Sequence, residues 1–135
     1  MLNKRTALTT FSGFIFMSAY GYYIHGVHLA DTYALLPEAT YRPESEFADM
    51  FLWVMAAYAL MTIAMVVIKS NKWGCPKDGL KFGLWMGLFM GSVNLINYTV
   101  YPWPFELMYS TFAADIFMGG FTGLVMAFVH GKLAD

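Results

Sequence analysis

Charge is what this chain has least of. Asp, Glu, Lys and Arg make up only 13% of the residues and hydrophobic residues 59%, against about 25% and about 45–50% in a soluble domain. That deficit excludes an ordinary water-soluble globule. Cysteine is almost missing too: Cys75 stands alone, which rules out an internal disulfide and any Cys-x-x-Cys or Cys/His zinc site. Beside a membrane such a thiol is either an acylation target or idle. There is no phosphate loop, no His-Glu-x-x-His and no Ser-His-Asp order within one layer, so the motifs that announce catalysis or a bound cofactor are absent.

What the sequence does contain is four apolar blocks, near residues 7–30, 49–69, 80–101 and 106–130. Each is roughly 20 residues or slightly longer, enough to cross a ~30 Å hydrocarbon layer as a helix. The longest connection, residues 31–48, is too short for a further domain. Tight connections at residues 70–79 and at Pro102-Trp103-Pro104 force antiparallel neighbours. The expected fold is an all-α membrane protein, four transmembrane helices in an up-down-up-down bundle. The first connection is long enough to act as a cap or docking surface, and a helix start is expected at Ser45 with Asp49 in its first turn.

Basic residues are missing from one side of that bundle. Lys4, Arg5, Lys69, Lys72, Lys77, Lys81 and Lys132 fall together, with only Arg42 opposite, so both termini are expected in the cytoplasm. Asp31, Glu38, Glu44, Glu46, Asp49 and Glu106 fall on the other face. A net charge of −1 thus conceals a basic inner rim and an acidic outer one. Basic residues along a rim mark topology and meet anionic lipid, so no nucleic-acid partner is implied. Trp53, Tyr33, Tyr41, Tyr101 and Trp103 at the outer edges, with Trp73 and Trp85 near the inner ones, read as aromatic belts. The first block is expected to remain a span rather than be cleaved as a signal. Tyr20, Tyr22 and Tyr23 interrupt its core, and only His28-Leu29-Ala30 stands where a small-x-small site belongs.

Glycine is placed with a period. Gly79, Gly83, Gly87 and Gly91 recur every fourth residue, which puts them on one helix face as a ridge without side chains. The last block carries a matching series of Asp115, Gly119, Gly123, Ala127 and Gly131. Such ridges let backbones approach closely in lipid. Either the two ridges face each other, or the first faces outward to another protomer or subunit.

Asp115 is the one acid inside a block. At ~1.5 Å per residue it lies about 13 Å along the last helix from Glu106. No Lys or Arg shares that depth. Reflecting the third block through the Pro102–Pro104 turn brings Asn94 and Asn97 to the same layer, and counting inward from the outer ends brings Tyr58 and Tyr22 there as well. The group Asp115, Asn94, Asn97, Tyr58 and Tyr22 reads in three ways: a hydrogen-bonded layer that sets helix register, a site for a proton, ion or small polar ligand, or a contact with a partner protein.

His25 and His28 sit three apart near the outer end of the first block while His130 lies at the inner end of the last, so no bis-histidine haem is expected. His25 and His28 are too few to close a metal site without help from Asp31 or Glu38, and His130 beside Lys132 is expected to complement the negative end of its helix. Met61/Met65 and Met86/Met90 have i,i+4 spacing but no Cys or His alongside, and read as flexible filler and lipid-facing surface. A duplication that lays Phe47-Ala48-Asp49 beside Phe112-Ala113-Ala114-Asp115 would make two parallel hairpin repeats.

The order Gly83, Gly87, Gly91, then Asn94-Leu95-Ile96-Asn97-Tyr98-Thr99, Trp103-Pro104 and Asp115-Ile116-x-x-Gly119 resembles the second half of small four-span bacterial inner-membrane proteins grouped as a domain of unknown function. That family's third span is richer in Asp and Thr where this chain has Asn94. The resemblance implies a multi-pass inner-membrane location and brings no activity with it. The expected role is a non-catalytic accessory or stabilising subunit with no cofactor, surrounded by bilayer and partnered by other membrane subunits or by copies of itself. The alternative is a small carrier or channel for a proton or polar solute, using Asp115.

Overall fold

The computed structural model describes residues 3–37, 43–69 and 72–133, and every regular element among them is helical. Helix α1 spans Lys4–Tyr23, opened by Asn3, whose side chain accepts the Thr6 backbone N–H at 2.8 Å. At its far end the helix widens into a π-helical turn, Ile24–His28. The five-residue step is visible where Leu29 N donates to Ile24 O at 2.8 Å. A single short turn, α2, follows over Ala30–Tyr33. Glu44–Glu46 form a 3-10 turn leading into α3, Phe47–Lys69, with Asp49 in the first helical turn. The outer-connection residues Glu38, Tyr41 and Arg42 lie outside the described residues.

Proline sets the ends of the remaining two helices. Helix α4, Pro76–Val100, starts with Pro at its first position, where the missing N–H costs no hydrogen bond. Tyr101 precedes Pro102 and is extended, which ends α4. Pro104 then accepts from Leu107 and Met108 at 3.1 and 3.2 Å and opens α5, Phe105–Lys132.

Helices α3, α4 and α5 are each long and apolar enough to cross a membrane. Helix α1 is not one of these three. Thr6, Thr9, Thr10, Ser12 and Ser18 break its apolar stretch, and the block expected over residues 7–30 is divided between α1 and the π turn.

Helices α4 and α5 pack antiparallel along their length. Helix α1 lies against α5 and against α3, antiparallel to both: Gly13 meets Met126 and Thr62, and Gly21 meets Tyr58. Its buried stripe, Thr6, Thr9, Gly13, Met17, Gly21 and Ile24, recurs at helical spacing. Three buried threonines satisfy their hydroxyls within their own helices, Thr9 on Arg5 O at 2.9 Å, Thr62 on Tyr58 O at 3.0 Å and Thr111 on Leu107 O at 2.8 Å, whereas the fully buried Thr122 hydroxyl has no partner among the described residues. The core is largely methionine: Met17, Met65 and Met126 are fully buried, with Met118 beside them.

The helices are therefore ordered α3, α1, α5, α4. Although consecutive, α3 and α4 make little contact. At the end holding the termini their seam is closed by Trp73, edge-on to Phe82 at 5.9 Å, and by Lys69 Nζ over the Phe82 ring at 5.4 Å. Toward the α4–α5 turn it opens.

His130 stands with Lys132 in the last turn of α5, as expected. It is buried, with Nδ1 3.1 Å from Thr9 Oγ1 and its ring beside Trp73. Arg5 also meets the last turn of α5, its Nε donating to His130 O at 2.8 Å.

Candidate functional site

Asp115 stands on the face of α5 turned toward α4. Its own backbone carbonyl forms part of the surface that Gly87 packs against, and a Cβ built at Gly87 would stand 2.5 Å from it. Two turns farther along α4, Asn94 Nδ2 donates to Asp115 Oδ2 at 2.7 Å. The glycine edge is what permits this bond. With no side chains between the two backbones, short Asn and Asp side chains meet across the seam. A charge-assisted bond of this kind is roughly twice as strong as a neutral one.

The rest of the pair's hydrogen-bonding capacity is unused. Among the described residues Asp115 Oδ1 accepts no bond, neither does Asn94 Oδ1, and the Tyr58 hydroxyl has no partner. These three residues border an open-sided hollow of about 290 Å³ between α3, α4 and α5, lined also by Met61, Phe89, Met90, Val93 and Met118. Phe89 is 71% exposed at its rim, so the mouth faces sideways, toward whatever surrounds the bundle.

Ten residues into α5, Asp115 lies about 15 Å along the axis from Phe105. A carboxylate at such a depth in hydrocarbon costs about 2.5–3.5 kcal/mol on insertion scales. One neutral donor offsets part of that. A buried polar group left short of partners is the costly half of any hydrogen-bond balance.

Tyr58, on α3, closes the hollow from the far side and packs its ring end against Gly21 of α1. Asn97 does not join the group: its side chain makes no hydrogen bond among the described residues, and its carbonyl caps α4 through Tyr101 N at 2.8 Å. Tyr22, expected in this layer, does not join it either. It is 74% exposed, because the buried stripe of α1 runs through Met17, Gly21 and Ile24 and position 22 is turned some 100° away. The phenol near Asp115 from α1 is Tyr20, close enough to feel its charge, as Tyr58 is. Depth counting alone favoured Tyr22; the stripe at positions 13, 17, 21 and 24 was the signal that selects Tyr20.

Gly79 faces Gly123 and Ala127, Gly83 faces Gly119 and Gly120, and Gly91 faces Phe112 and the Asp115 Cβ. Gly119 and Gly123 return the contacts to Gly83, Gly87 and Gly79. These glycines are spent on each other, so an outward ridge is not what the fold presents. Gly131, at the end of the series, meets nothing within 4 Å.

His25 and His28 serve different neighbours. His25 Nδ1 lies 2.8 Å from the Tyr33 hydroxyl, and the exposed His28 stacks on Tyr23 at 6.4 Å. No group of three or more His, Cys, Asp or Glu gathers among the described residues.

Compared with family models, with curated proteins and with solved structures, the chain finds no match.

Proposed function

We propose that this chain is a four-pass inner-membrane protein, with both termini cytoplasmic, that serves as a non-catalytic accessory subunit of a larger membrane assembly. A first span made of α1 and its π turn supports the four-pass count. Lys4–Tyr23 and Ile24–His28 together run roughly 35 Å at helical rise, enough for the hydrocarbon layer. The observation that carries the reading is the position of Asp115. Ionisable groups within a membrane face a bundle interior or a water-filled cavity, whereas this carboxylate lies at a seam that the chain itself leaves open. A partner seated over the seam makes that seam an interior.

Extraction in mild detergent at native expression level, followed by native mass determination, tests this. A stoichiometric complex with other membrane proteins is the expected result; a bare monomer or a homo-oligomer overturns it. A carrier for a proton or small polar solute is the second reading, favoured by the unbonded Asp115 Oδ1. It requires that Asp115→Asn abolish uptake by the purified chain in vesicles.

A further inference from the structure

The α3–α4 seam combines three properties that together specify what lies in it. Among the described residues two of its polar atoms, Asp115 Oδ1 and Asn94 Oδ1, are acceptors left without a bond, beside the second N–H of Asn94 and the Tyr58 hydroxyl. An acceptor pair beside a negative charge calls for a cation with several donors, which among side chains means an ammonium with three or a guanidinium with five. The second property is the shape of the hollow. At about 290 Å³ it admits one long side chain and not a helix. Its walls are Met61, Met90 and Met118, unbranched side chains that re-form around an inserted group. The third is its direction: Phe89 and Val93, both exposed, form the lip, so an occupant arrives in the plane of the membrane and not from water.

No described Lys or Arg of this chain lies where it would supply that cation to a second copy. The described Lys and Arg residues all lie toward the end that holds the termini, and Lys81, the deepest, is six residues short of Gly87, which packs on Asp115. That distance is roughly 9 Å along α4.

We infer that the seam is the docking groove for one transmembrane helix of a different chain, which lies along the α3–α4 mouth and inserts a lysine or arginine toward Asp115 and Asn94. The inference rests on the accessory-subunit reading and names the chemistry of the partner. Pairing with an opposite charge is one of the ways a membrane-embedded acid is accommodated, and polar contacts between helices are part of what holds them together in lipid. Helix α3, fastened chiefly to α1, is free to adjust the width of the groove.

The test places a photo-reactive amino acid at Val93 in the full chain in its native membrane, with Phe117, exposed on the other side of α5, as the control position. The expected adduct from Val93 maps to a membrane segment of another chain containing Lys or Arg, and is absent from Phe117. Asp115→Asn lowers its yield about tenfold, the weight of one interhelical polar contact at the upper end of its range, while Asp115→Glu keeps it. Should Asp115→Asn fail to accumulate, replacing the partner's own cation by Met leaves this chain intact and must give the same loss. Adducts to a second copy, to lipid alone, or to a segment without Lys or Arg overturn the inference, as does a yield indifferent to both substitutions. A native complex that forms while Val93 reaches only lipid refutes the groove and spares the subunit reading; a chain that extracts alone refutes the subunit reading itself.

Discussion

Helix α4 has two seams, and they are opposites. Against α5 it presents Gly79, Gly83, Gly87 and Gly91, and backbone meets backbone. Toward α3 it presents Phe82, Met86, Phe89, Met90 and Val93, and a hollow is left. Helix α3 has no glycine over its whole length, Phe47–Lys69. Lipid is as apolar as leucine, so no hydrophobic force draws large side chains out of it and together; close approach of backbones is what favours association. One helix thus becomes half of a closed hairpin on one face and half of an open groove on the other, through side-chain size alone. The two halves of the chain pack differently: α4 and α5 share a glycine seam, α1 and α3 do not, and Asp49 is exposed at the start of α3 while Asp115 lies deep in α5.

The strongest way to break this contrast is to give the closed seam a side chain. At Gly83 a Cβ would collide with the Gly119 carbonyl oxygen and stand 2.9 Å from its carbonyl carbon and 3.0 Å from the Gly120 Cα. All three are backbone atoms, which cannot turn aside as a side chain can. Gly83→Val is expected to cost about 3 kcal/mol, the upper part of the range for overpacking, measured by reversible unfolding in mixed detergent micelles. A loss under about 1 kcal/mol would mean that α5 slides over α4 freely and that the two seams of α4 differ less than their contacts suggest.

How much of this was legible in the sequence follows the same division. Periodicity displays small residues directly, so Gly79 to Gly91 and Gly119 with Gly123 could be read as two edges before any coordinates, and the level of Asp115 with Asn94 followed from counting through the Pro102–Pro104 turn. The open seam was not legible, since apolar side chains of every size look equally able to pack. Rotational position in α1 was missed because depth was counted without the stripe that orients it, so Tyr22 stood in for Tyr20. The π turn has no sequence mark, and it divides the first block. Burial of His130 arises from Thr9 and Arg5, more than a hundred residues away in the chain.

A smaller effect sharpens the comparison on the α1 side. A Cβ built at Gly13 stands 2.5 Å from Met126 Sδ, 2.7 Å from Met126 Cγ and 3.3 Å from Thr62 Cγ2. These are side-chain atoms, and Met126 has unbranched torsions that can yield. Gly13→Ala is therefore expected to cost about 1 kcal/mol in the same unfolding measurement, the lower part of the overpacking range. A cost equal to that of Gly83→Val would show that the fully buried Met126 is as unyielding as backbone, and the α1–α5 contact would then belong with the closed seam.

The least effect is expected where the glycine spacing continues but the contact does not. Gly131 keeps the four-residue rhythm of Gly119, Gly123 and Ala127, yet a Cβ there meets nothing within 4 Å. It lies in the last turn of α5, where its carbonyl accepts the Leu133 N–H. Alanine is a better helix former than glycine by about 1 kcal/mol in a helix interior, and less than that applies at an end that frays. Gly131→Ala should then be neutral or stabilising by a few tenths of a kcal/mol, read as an unchanged or slightly raised midpoint. A clear loss would mean that the edge of α5 contacts something beyond Ala127 that α4 does not provide, and the closed seam would have to be extended past the hairpin to a second surface at the end that holds the termini.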